Sequence, residues 1–111
     1  MYDVRHVLRK AGLRSTYSGY NYLASAVALV LKDQEFYLKN VTSNLYRVVG
    51  EQYGVSNMCV EPAIRTMINS YWNQNSNKIL SPLLGYPVFD KPTASEFISM
   101  LADYIQDHSS R

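Results

Sequence analysis

The run VTSNLYRVVGEQYGVSNMCVEPAIRTMINSYW, residues 41–72, decides the fold. Val41, Leu45, Val48 and Val49 keep helical spacing up to Tyr53-Gly54, and Val60, Ile64, Met67, Ile68 and Tyr71 repeat it up to Trp72. Two amphipathic helices joined by a few residues that include a glycine fit both a simple αα-hairpin and a DNA-binding helix-turn-helix. Gly50 lies inside the first helix at a cost of about 1 kcal/mol against alanine, and close approach of the second helix supplies a reason for it. Gly54 suits the left-handed residue of the turn.

Upstream, Val4, Val7, Leu8 and Ala11 mark a first helix that Gly12 stops. Ser18-Gly19 opens a second. Leu23, Val27, Val30 and Leu31 line one side of it while Ala24, Ala26 and Ala28 keep the other narrow, so it is expected to be buried on most sides. A short connection holding Phe36, Tyr37 and Leu38 leads into the third helix. Downstream, the polar run Asn73-Gln74-Asn75-Ser76-Asn77 reads as a loop. Ile79, Leu80, Leu83 and Leu84 can form only a short helix, because Pro82 and Gly85 punctuate it. Thr93-Ala94-Ser95-Glu96 has capping-box spacing, and Phe97, Ile98, Leu101, Ala102 and Ile105 follow as a buried face. Nothing alternates with period two, so the expectation is an all-α domain of about six helices. Its third and fourth helices are the hairpin or helix-turn-helix over about 41–72.

With 47% apolar and 18% charged residues and a net charge of +2, the chain is too apolar and too weakly charged for disorder. Its 111 residues fit one domain, residues 1–111. Cys59 cannot form an internal disulfide, and MYDVRHVLRK carries no apolar run behind its charges, so a cytoplasmic setting is expected. The longest apolar stretch, Leu23 to Leu31, is far short of the roughly 20 residues that span a bilayer. His6 and His108 have no ligand set at metal spacing, Cys59 has no histidine partner, and no phosphate loop or nucleophile elbow is present. The chain therefore reads as a non-enzyme with no metal, cofactor, small-molecule substrate or membrane partner. Asn40-Val41-Thr42 matches a glycosylation acceptor but is more simply the polar start of the third helix. Most of the ten tyrosines suit a core edge, and Tyr20, Tyr46 or Tyr71 could equally anchor a dimer contact.

Charge is sparse for a nucleic-acid binder. Arg5, Arg9, Lys10 and Arg14 gather near the start against Asp3 alone. Arg5 and Arg9 share a helix face, which serves as either a solvated surface or a phosphate-contacting patch.

Beyond Gly54, Val60-Glu61-x-Ala63-Ile64-Arg65 closed by Trp72 resembles the recognition helix of the effector domain of stage zero sporulation protein A, the sporulation regulator family of endospore-forming Firmicutes. Gly19-Tyr20-x-Tyr22-Leu23, Leu84-Gly85-Tyr86 and Lys91-Pro92-Thr93-x-Ser95-Glu96-Phe97-Ile98 match that family in the same order, over almost the whole chain. The resemblance implies a helical domain whose third and fourth helices form the helix-turn-helix, with the fourth in the major groove of a short promoter box. It also implies binding as a homodimer or as tandem dimers on double-stranded DNA. In the family a phosphorylatable receiver domain comes first. This chain leaves no residues for one, so an excised fragment and a stand-alone relative both stay open.

On the family register the DNA-facing residues are Ser56, Asn57, Met58, Cys59, Glu61, Pro62, Arg65, Thr66 and Asn69. Lys39, Thr42 and Ser43 would grip the backbone with help from the third helix's N-terminal dipole. Glu61 and Arg65 match the family, whereas Cys59 and Pro62 stand where it carries arginines. Arginine reads guanine with a two-donor fork worth roughly 1–3 kcal/mol of discrimination, which neither replacement provides. Glu61 and Arg65 are the only charges between Ser56 and Trp72, and they cancel. These losses favour a second reading, a protein-interaction module that keeps the fold and pairs with an intact regulator. Proline inside a helix costs about 3 kcal/mol, so the fourth helix is predicted to start late, near Cys59, or to have a distorted first turn. The DNA reading requires that helix to face outward.

Overall fold

Helix α2, Ser18–Lys32, is the hub of the domain: eight of its side chains or glycine positions are buried, and it packs against the helices before it, after it and at the far end of the chain. The computed structural model describes residues 3–109, and the outermost residues of the expected domain lie outside them. All regular structure among the described residues is helical. Helix α1, Val4–Lys10, is opened by the Asp3 carboxylate, which accepts from the Arg5 amide at 3.1 Å, and it buries Val7 and Leu8. The chain turns at Gly12 and enters α2.

The segment after α2 departs from expectation. Residues read as a connection form a helix of their own, α3, Gln34–Lys39, started by the Asp33 carboxylate accepting from the Phe36 amide. It buries no residue, so it leaves no apolar stripe by which periodicity could find it. The expected third helix has two parts. Val41–Tyr46 is a π-helical segment, which runs directly into α4, Arg47–Tyr53. Asn40 caps the segment through its side-chain oxygen, which accepts from the Ser43 amide at 3.2 Å, so the polar-start reading of Asn40-Val41-Thr42 fits its position.

The expected fourth helix is α5, Asn57–Asn75, one of the two longest in the domain. It overruns the predicted loop at its end, where Asn75 donates to the Tyr71 carbonyl at 3.1 Å and Ser76, at φ 51°, stops it. Helix α6, Leu80–Leu84, is short as the proline and glycine spacing requires. Helix α7, Ala94–Ser109, opens on the predicted capping box: the Thr93 amide donates to Glu96 Oε1 at 2.8 Å, and the Glu96 amide donates to Thr93 Oγ1 at 3.2 Å. Its apolar face closes the core through Phe97, Ile98, Leu101 and Ile105. No helix is long and apolar enough to cross a membrane among the described residues.

Three tyrosines considered for a dimer contact are interior residues. Tyr20 and Tyr71 are 1% exposed and Tyr46 4%, each with its ring in the core, and the hydroxyls of Tyr20 and Tyr71 still reach the backbone. Tyr71 donates to the Ala11 carbonyl, tying α5 to the end of α1, and Tyr20 donates to the Arg5 carbonyl at 3.4 Å. Burial pushes the Tyr71 phenol up to about 12. Burial, reinforced by the nearby Glu61 carboxylate, pushes Tyr46 up to about 12 as well. Both phenols stay neutral in the folded chain above the unfolded value near 10, so ionisation favours the unfolded state between those limits. Stability is expected to be unaffected by these groups below pH 10 and to fall by roughly 2 kcal/mol per tyrosine by pH 12. Urea unfolding across that range checks this, and the fall should halve in Tyr71→Phe.

Candidate nucleic-acid interface

The candidate interface is built on the close approach of α4 and α5. A left-handed residue ends α4 at Gly54, φ 67°, where its lack of a side chain removes the usual penalty. The Val55 amide then closes onto the Gly50 carbonyl at 2.9 Å. Gly50 has the reason the sequence demanded: a Cβ there would lie 2.6 Å from the Val55 carbonyl oxygen and 3.2 Å from the Asn57 nitrogen. The turn Gly54–Ser56 is thus pressed directly on α4. Ser56 begins α5 by accepting from the Met58 amide at 3.1 Å.

Pro62 does not delay the helix. Contrary to expectation, α5 runs from Asn57 straight through it. Only a short stretch precedes the proline. The one carbonyl that loses a partner is that of Met58, itself 78% exposed, and the first turn is tightened by a Cys59 amide to Ser56 carbonyl bond of 2.9 Å. At this depth the clash and the missing bond fall where the helix has least to lose.

Val60, Ile64, Met67, Ile68 and Tyr71 bury one side of α5. The other side carries the residues the sequence singled out. Met58, Cys59, Arg65 and Thr66 are exposed, and Asn57, Glu61, Pro62 and Asn69 are half-buried along the same helix, with Ser56 exposed at its cap. The Arg65 guanidinium lies 3.4 Å from Glu61, with 59% and 33% of the two side chains exposed. A surface pair of this kind contributes at most about 1 kcal/mol, so Arg65 is easily redirected to a stronger anion.

Lys39, Thr42 and Ser43 are exposed where α3 meets the π-helical segment, which itself packs on α5. The Ser43 amide is already taken by Asn40, which leaves that helix end fewer open donors than its dipole alone suggests. Two contributions escaped sequence reasoning. Tyr17 and Ser18, at the start of α2, line a small hollow with Thr66 and Ser70 on the flank of α5. Lys91, from the loop before α7, places its ammonium 2.6 Å from Asn69 Oδ1. Both come from segments distant in sequence, where no local pattern reports the contact.

A domain whose regular structure is all helical among the described residues, and which presses one long, half-uncovered helix against a shorter one across a three-residue turn, has the build of a DNA-binding effector domain. The family model described as sporulation initiation factor Spo0A C terminal matches residues 4–105. The chain belongs to that family.

Proposed function

We propose that this chain is a sequence-specific DNA-binding transcription regulator that lays α5 in the major groove. The observation that carries the proposal is the outward stripe of α5, on which Met58, Cys59, Arg65 and Thr66 stand exposed, in a chain that matches the family over residues 4–105. Arg65 contacts a base edge or phosphate, Ser56, Asn57, Thr66 and Asn69 add hydrogen bonds, and Lys39, Thr42 and Ser43 grip the backbone. The chain acts as one unit in the cytoplasm, as a homodimer or as tandem dimers on adjacent boxes.

A mobility-shift titration against a family promoter box and a random duplex at several salt concentrations tests this. Binding should prefer the box and weaken steeply with salt. Arg65→Ala should cost roughly 1–3 kcal/mol of binding, about 5- to 150-fold, if it reads a base; an unchanged affinity excludes it from the interface. The second reading, an interaction module that pairs with an intact regulator, draws support from the Glu61–Arg65 pair, which leaves α5 without net charge. Failure to bind any duplex at low salt favours that reading.

A further inference from the structure

An interface whose central helix is electrically neutral needs positive charge from elsewhere, and the loop between α6 and α7 brings one to it. The Lys91 ammonium donates to Asn69 Oδ1 at 2.6 Å. Asn69 lies one turn, about 6 Å, beyond Arg65 along α5, and the ammonium is held at its side chain. Lys91 is exposed and makes no ion pair among the described residues; its neighbour Asp90 is not bonded to it.

The loop that carries it is fixed on both sides. Asn77 donates to the Val88 carbonyl at 2.8 Å, the Val88 amide donates to Ser81 Oγ at 2.9 Å, and Pro92 is buried immediately before the capping box. A surface lysine ordinarily loses much rotamer freedom when it binds. Here part of that loss has already been met by Asn69.

We propose that Lys91 is a phosphate-binding residue of the same DNA face and that Asn69 is the positioning residue that aims it. The inference rests on the proposed placement of α5 in the groove. The major groove is about 12 Å wide, so with Arg65 toward its floor, a charge displaced along the helix and carried on a separate loop meets the backbone at its wall. One of the three ammonium donors is spent on Asn69, which leaves two for phosphate oxygens. Lysine binds phosphate as a point charge and does not read bases, so the contact strengthens binding to all sequences alike.

The test compares the chain with Lys91→Gln and Lys91→Arg, titrated against box and random duplexes over a range of salt. Lys91→Gln can still hydrogen-bond Asn69, so a loop staple alone would survive it. The expected result is weaker binding of Lys91→Gln to both duplexes and a salt slope shallower by about one. Lys91→Arg should restore both, and thermal melting should be the same for all three. Steep salt-dependent binding by the unaltered chain, with an unchanged slope in Lys91→Gln, would overturn the role of Lys91 and leave the DNA-binding reading standing. No binding by the unaltered chain at low salt would sink both.

Discussion

Gly19→Ala is expected to lower the melting temperature by roughly 10 °C, against the sign that helix propensity dictates. Gly19 lies in α2, where exchange of glycine for alanine ordinarily stabilises by about 1 kcal/mol. The added methyl would sit 2.5 Å from the Ala63 carbonyl oxygen, 2.9 Å from its carbon and 3.1 Å from the Ile64 Cα. All three are backbone atoms of α5, which cannot rotate aside as a flexible side chain could. The two helices must separate, and overpacking of that kind costs typically 1–3 kcal/mol, with Gly19→Val at the upper end or beyond it. Circular-dichroism melting decides the matter by sign. A stabilised Gly19→Ala would mean that α2 and α5 do not cross where described.

The second large effect concerns recognition. Cys59 is exposed and Pro62 half-buried on the outward side of α5, at the two positions where the resemblance implies arginines. Cys59→Arg combined with Pro62→Arg is expected to raise affinity for a family box by about 100-fold, since each restored fork on guanine is worth roughly 1–3 kcal/mol. Pro62→Ala separates the backbone from the chemistry: it returns the amide for the Met58 carbonyl and should raise the melting temperature while leaving DNA affinity unchanged. A double arginine variant that folds, melts normally and binds no better would remove α5 from the DNA face.

Most helices could be read in advance because each buries an apolar stripe on a known side. Val60, Ile64, Met67, Ile68 and Tyr71 are the buried residues of α5, as their spacing requires. What escaped has the opposite property. Helix α3 has no fully buried residue, only Tyr37 and Leu38 half-buried side by side, and the Asp33 cap is what announces it; the last turn of α5 is made of polar residues that resemble a loop. Pro62 misled because its cost depends on depth in the helix, which spacing fixes, and on the exposure of Met58, which it does not. For the candidate site, the exposed side of α5 was legible from the spacing of its buried residues. The Lys91 contact was not, since it joins residues 22 positions apart through a folded loop.

The segment Val41–Tyr46 is π-helical, a winding that takes in one more residue per hydrogen-bonded turn than an α-helix, although its Asn44 amide still bonds the Asn40 carbonyl four residues back at 2.8 Å. Leu45 and Tyr46, neighbours in sequence, both turn into the core from it. The domain has in effect absorbed a one-letter slip of phase at this point. Thr42 and Ser43, on this same segment, stay in solvent while Leu45 and Tyr46 fill the interior.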